Sequence, residues 1–392
     1  MRLKRLFILC VALSASVFSF ADDFVYDNLK YTTSSDKSVT LVDGKSASGE
    51  VIIPSVVRNN KKVYTVTAIA HNAFECNNAI TAVTIPSSVS TIGYSAFNSC
   101  KGLQRVMDAS RVVEMQGFEY TDCTSLTSVT LSGTLQKIGY RSFAVTALTR
   151  LVLPESVKEI GGEAFQDCHQ LTNVEFNKGI QYIKDHAFKN SGLASLELPE
   201  GIKEIGEWSF EGCKSLKTVQ IPQSVTTLGT GAFYTCSALE SVVLPSSLTN
   251  IGDRTFNGCC HLSAVYYLGS SCPSLGQNTF VDVSNDFGFY VKPSALPVLQ
   301  GIAYVSDKVK DSFPYQQNSK YATFSRPFAV DFSAATGLKA YIAKGNSGQS
   351  SVALTAVTTA SAGTGLVLEA TPNIIYQLRL ADNAPQYADN AL

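Results

Sequence analysis

The sequence is short of charge, of tryptophan and of histidine: 16% of its 392 residues are charged, one is Trp and four are His. Neither sign of charge dominates, since 31 Lys and Arg face 32 Asp and Glu. The clustered basic surface that phosphate backbones require is therefore missing, and nucleic acid is not expected as a partner. Beyond residue 21 no apolar run approaches the ~20 residues needed to cross a bilayer, so no membrane-spanning segment is expected in the mature chain. None of the ten cysteines stands in a Cys-x-x-Cys pair, which argues against a zinc site, and neither metal nor cofactor is expected. Gly-x-Ser-x-Gly and His-Glu-x-x-His are absent too. Gly44-Lys45-Ser46 lacks the upstream glycine of a phosphate-binding loop, with Val39 in its place, and reads as a turn. His71, His169, His186 and His261 have no obvious acid or nucleophile beside them in the sequence. No catalytic residue is assigned, and an enzyme is not expected.

What is present is an apolar share of 45%, enough for a large buried core. Arg2, Lys4 and Arg5 precede an apolar run from Leu6 to Phe18, and Ser19-Phe20-Ala21 offers small residues at both sites inspected by a signal peptidase. Residues 1–21 are read as a cleaved export signal. Its loss removes three basic residues and takes the formal charge from −1 to −4. Export predicts a secreted or cell-surface protein, with the periplasm as an alternative.

One aromatic column organises the chain: Phe74, Phe97, Tyr120, Phe143, Phe165, Phe188, Phe210, Phe233, Phe256 and Phe280 recur every 22 to 24 residues. A period this regular predicts a solenoid of stacked coils. In Ile85–Val106 and Ile221–Val242 each unit runs apolar-Pro-x-Ser-Val-x-x-Ile-Gly-x-x-Ala-Phe-x-x-Cys-x-x-Leu-x-x-Val. Alternation such as Ser128-Val129-Thr130-Leu131 predicts a strand with one buried face, which Pro86, Pro154, Pro199, Pro222 or Pro245 ends by lacking a donor. Gly93, Gly139, Gly161, Gly206, Gly229 and Gly252 suggest turns needing unusual backbone angles. The three-residue spacing of Phe-x-x-Cys-x-x-Leu predicts a turn of helix on the opposite side. A lone coil cannot offset the entropy of ordering itself, so neighbours must share strands and core.

These repeated Ile-Pro-x-Ser-Val, Ile-Gly-x-x-Ala-Phe and Cys-x-x-Leu segments, from about Val51 to Phe280, resemble the treponemal, or BspA-like, leucine-rich repeats of secreted and surface proteins from Bacteroides and related bacteria. The resemblance implies a curved solenoid used to attach to host proteins or other cells. The expected fold is thus a leucine-rich-repeat solenoid of short parallel strands, turns and short helical segments, followed by a small all-β C-terminal domain. Its parts are a leader at 1–21, an N-terminal β-hairpin cap at 22–60, the solenoid at 61–285, a cap and linker at 286–320, and a β-rich domain at 321–392. Within the last, Gly345-Asn346-Ser347-Gly348 and Gly363-Thr364-Gly365 are expected turns.

Six cysteines, Cys100, Cys123, Cys168, Cys213, Cys236 and Cys259, follow the aromatic by three residues and are expected as packed thiols. A bridge between Cys260 and Cys272 is conceivable. The Phe143 and Phe188 coils are one residue short after the aromatic and have lost the cysteine. In the Tyr120 coil Asp108 replaces an apolar residue; it is either a drifted coil with Asp108 turned outward or hydrogen-bonded, or a distortion shaping a binding surface.

Partner-binding candidates follow from the expected outward faces of the strands. Two columns are predicted: Ala82, Arg105, Ser128, Arg150, Asn173, Ser195, Thr218 and Ser241 beside Thr84, Met107, Thr130, Val152, Glu175, Glu197, Gln220 and Val243. Arg105, Arg150, Glu175 and Glu197 are the charged groups a partner would read. Trp208 is added as an exposed hot spot, or else it packs over a neighbouring coil. The expected function is a monomeric scaffold for adhesion to a host or microbial surface protein or glycan. A carbohydrate-binding accessory to polysaccharide handling is the alternative; it calls for exposed aromatic rows, for which Trp208 and Tyr266 alone are too few.

Overall fold

The computed structural model describes residues 22–271, 273–293, 309–310, 312–316, 321–324, 329–336, 338–345, 352–360, 366–370 and 375–381. The expected leader, a Cys260–Cys272 bridge and the turns expected at 346–348 and 363–365 lie outside the described residues. Every named element among the described residues is a strand.

Successive coils stack through two parallel ladders. The broad ladder starts with Gly49–Ile52, Ile80–Ile85, Arg105–Asp108 and Ser128–Thr130, continues with Arg150–Val152 and Asn173–Glu175, and ends with Thr218–Gln220, Ser241–Leu244, Ala264–Tyr267, Gly288–Val291 and Val309–Lys310. Equivalent repeat positions sit side by side, as Val129 beside Val106 and Thr130 beside Met107. After most strands the chain turns at proline, whose carbonyl accepts the N–H three residues on, as in Pro86 to Val89, Pro154 to Val157 and Pro222 to Val225. Two-residue strands then form the narrow ladder, from Lys137–Ile138 to Ser274–Leu275.

The expected helical turn does not form. Residues two before and two after the aromatic are left-handed: Ser95 (φ 57°) and Ser99 (φ 56°) around Phe97, Glu163 (φ 53°) and Asp167 (φ 58°) around Phe165. These residues interrupt any run of right-handed helix. The N–H groups therefore alternate in direction. Ala96 and Asn98 donate within their own turns, to Gly93 and Ser95, whereas Ser95, Phe97 and Ser99 donate to Gly117, Glu119 and Thr121 of the next coil. The arc thus stacks much as a sheet does, and its buried donors find partners.

The glycine column also has a different cause from the expected one. Gly93, Gly139, Gly161, Gly206, Gly229 and Gly252 are absent from the left-handed positions. A Cβ on Gly229 would lie 2.6 Å from the Glu207 nitrogen, and one on Gly252 2.6 Å from the Thr230 nitrogen. Close approach of one coil's backbone to the next, and not backbone angle, demands glycine there.

Through the centre runs a stack of ten rings. Adjacent centroids are 4.8 Å apart for Phe74–Phe97 and 5.2 to 5.6 Å for the other pairs, with planes within 13° of parallel. At the N-terminal end Gly44 covers the stack, where a Cβ would stand 2.0 Å from the Phe74 ring; Phe287 and Phe289 close on Phe280 at the other. Asp23–Tyr26, Leu29–Thr33 and Ser38–Asp43 form an antiparallel cap sheet that joins Lys62–Ile69 in parallel.

Beyond the solenoid lie two four-stranded antiparallel sheets. One orders Ser312–Gln316, Ile375–Leu380, Val330–Asp331 and Thr359–Ala360; the other Tyr321–Phe324, Leu366–Glu369, Lys339–Gly345 and Val352–Val357. Val330, Phe332, Leu338 and Leu368 form a core with Val243, Ala264 and Tyr290, the outward residues of the last broad-ladder strands. The C-terminal region therefore covers that end of the exposed sheet.

Candidate interaction surface

The broad ladder is interrupted twice. Strand pairing stops between Ser128–Thr130 and Arg150–Val152, and again between Asn173–Glu175 and the segment 195–197, where only Leu196 keeps a bridge to Val219. Each interruption lies just before the strand of a coil that is one residue short, those of Phe143 and Phe188. A shorter arc draws its strand away from the N-terminal neighbour while pairing on the other side survives, as Arg150–Val152 keeps its register with Asn173–Glu175. The narrow ladder runs through both coils unbroken.

At the first interruption the face opens into a depression of about 480 Å³, lined by residues 127–131 with Thr149, Arg150, Val152 and Pro154. Val152 is 54% exposed and Met107, two coils earlier in the same column, 47%. The four charges predicted on this face are all exposed. Arg150 pairs with Glu175 in the next coil, and Arg105 reaches Glu50 at 3.5 Å. Arg150 thus lines the depression, and Glu175 reaches it only through its ion pair with Arg150. Glu197 lies past the second interruption. Two columns end sooner than expected: Val243 is 7% exposed because the C-terminal sheets pack on it, and Ala82 is buried at 7%.

Trp208 is on another face. Its indole is half-buried, 5.3 Å from the Tyr234 ring and stacked at 6.5 Å on His186. It lies across Gly231 of the following coil, where a Cβ would stand 2.2 Å away.

Among the described residues the cysteines are free, and the six of the repeat are buried. Each thiol donates to the carbonyl of the preceding coil's aromatic, from Cys100 to Phe74 at 3.0 Å through Cys259 to Phe233 at 3.1 Å. Burial pushes the Cys168 thiol up to about 11 and those of Cys100 and Cys259 to about 12. They therefore stay protonated donors and poor nucleophiles. Where the cysteine is lost, Thr146 and Ser191 put buried hydroxyls in its place, 3.3 Å from the sulfurs of Cys168 and Cys213.

The Tyr120 coil buries acid. Glu119 stands where other coils have Ala, Ser or Thr and is fully buried; it accepts bonds from the Gly117 N–H and the Ser142 hydroxyl, both at 2.8 Å. Burial raises its pKa above the usual carboxylate range, as it does for Asp108, which accepts the Ser110 N–H at 2.9 Å. Asp108 is thus hydrogen-bonded in a drifted coil. Sequence reasoning missed Glu119, although a Glu in an Ala column was a visible sign. It also missed the depression, whose sign was the one-residue deletion. Among the described residues no group of three or more His, Cys, Asp or Glu could hold a metal ion, and no helix is long and apolar enough to cross a membrane.

Comparison with known proteins gives a family. The pattern described as the BspA type leucine-rich repeat region matches residues 58–172 and 158–285 in six copies. Among solved structures, a leucine-rich repeat protein from Bacteroides ovatus is 25% identical, with 70% of this chain and 81% of that one covered and a TM-score of 0.50. A leucine-rich cell surface protein from Faecalibacterium prausnitzii is 21% identical (71% and 97% covered, TM-score 0.33), and the pneumococcal vaccine antigen PcpA 20% identical (74% and 98% covered, TM-score 0.36). No curated protein matches the chain.

Proposed function

The chain belongs to the BspA-type leucine-rich-repeat family, and from that premise we propose that it is an exported, non-enzymatic scaffold that holds a protein partner against its broad-ladder face. The observation that carries this reading is the depression at the first interruption, edged by Arg150, which is ion-paired to Glu175 in the next coil, and by exposed Val152. An apolar spot beside paired charges, on a rigid sheet, suits recognition of a folded surface. Fold alone does not name the partner; a host or microbial surface protein is proposed. The basic and apolar start of the sequence supports export and display at the surface, and the chain is proposed to act as a monomer.

The test is a binding screen of the secreted protein against purified matrix and bacterial surface proteins. Any hit is measured again with Arg150, Glu175 and Glu197 changed together to Ala. A loss of about tenfold or more in affinity is expected; unchanged affinity would remove the sheet face from consideration. Protease treatment of intact cells checks location, with full protection counting against display.

A further inference from the structure

A second surface lies on the arc, away from the broad ladder. Tyr94, Phe118 and Tyr140 come from three successive coils, with centroids 5.1 and 5.4 Å apart and planes tilted by 46° and 55°. Tyr94 and Tyr140 are 44% and 46% exposed, and Phe118 is half-buried between them. Gly117, in the Tyr94 column of its coil, lets the Tyr94 ring lie over it: it has no side chain and takes a φ of 124° that other residues rarely adopt, and a Cβ there would stand 3.5 Å from that ring. The three rings thus form one continuous, partly exposed aromatic patch, with Phe118 between the two tyrosines. Arg141 stands over the Phe118 ring at 5.7 Å and pairs with Glu163, which also accepts the Tyr140 hydroxyl.

The repeat does not ask for these rings. Further along, the Tyr94 column is filled by Gly162, Asp185, Glu207, Thr230, Asp253 and Gln277, so coils fold without an aromatic residue there. The aromatic residues are extra to folding and half in water.

We propose that this aromatic patch binds a pyranose unit of a glycan. The ligand must have an apolar face for the tilted rings and a polar rim for the Arg141–Glu163 pair and the Tyr140 hydroxyl, and a pyranose has both. Arg141 covers the face of Phe118, which leaves the exposed rings of Tyr94 and Tyr140 as the stacking surface. A folded protein fits poorly. Three half-covered rings expose at most a few hundred Å², given ~150–250 Å² for a whole aromatic side chain, and a specific protein interface needs ~1,000 Å². The site is separate from the broad-ladder face and stands or falls independently of it.

The secreted protein is titrated with soluble oligosaccharides of glucose, mannose, galactose and N-acetylglucosamine, followed by saturation-transfer NMR and calorimetry. At least one is expected to bind in the millimolar range or tighter, with its ring C–H protons the most strongly saturated. Tyr94→Ala and Tyr140→Ala should each weaken it about tenfold and together abolish it, with an unchanged melting temperature. Tyr26→Ala, an exposed tyrosine in the cap, and Arg150→Ala should leave it intact. Three outcomes overturn the proposal: no sugar binds, binding survives Tyr94→Ala/Tyr140→Ala, or that double variant loses a protein partner while no sugar binds.

Discussion

The coil around Phe233 and the coil around Tyr120 occupy equivalent places in one stack and share the thiol three residues after the ring, but differ in most of the columns before it. The first has Pro222, Gly229 and Ala232, with Phe233 between Phe210 and Phe256. The second has no proline before its turn, Gln116 in the glycine column, buried Glu119 in the alanine column and Asp108 in an apolar one. Yet the Tyr120 ring sits 5.3 and 5.2 Å from its neighbours, with planes within 12° of parallel. Ring stacking and the arc hydrogen bonds hold the coil, while the outer columns are free to change. Both candidate binding features lie where they have changed.

If the stack is what holds both coils, cutting it in the regular one should be the costliest change. Phe233→Ala should lose about 3–5 kcal/mol, as for a large ring removed from a core, read as a lower midpoint in urea. A loss below 1 kcal/mol would mean that the edge ladders carry the stability instead.

Next is the close approach that the Phe233 coil has and the Tyr120 coil handles differently. Gly229→Ala places a Cβ 2.6 Å from backbone and should cost about 1–3 kcal/mol by overpacking. Gly133→Ala, with nothing within 4 Å, should stay within about 0.5 kcal/mol of the parent. Equal effects in thermal melts would refute close approach as the reason for the glycine column.

The smallest effect is expected to be a gain. The Tyr120 hydroxyl is buried without a hydrogen-bond partner, and an unpaired buried hydroxyl costs about 1–3 kcal/mol. Tyr120→Phe restores the ring of the regular coils and should raise stability by about 1 kcal/mol. Destabilisation instead would show that the hydroxyl has a partner, such as a water.

The repeat made much of this legible in advance. Period, strand alternation and the thiol column could be read because each coil repeats the same test of which positions are buried. The helical turn and the cause of the glycines were misread because spacing of three does not distinguish right-handed from alternating backbone. Of the charges predicted on the exposed face, Arg150 lines a depression whose existence needed the coil-to-coil geometry.

Sequence by itself determined the stack: ten aromatic residues at nearly constant intervals leave few other ways to bury them. Tertiary structure alone decided where the face opens, where the C-terminal sheets cover it, and which of the outer aromatics come together. The physical reason is that burial is written into each coil's own pattern. Gaps and clefts arise instead from differences between neighbouring coils, which become visible only when one is laid upon the next.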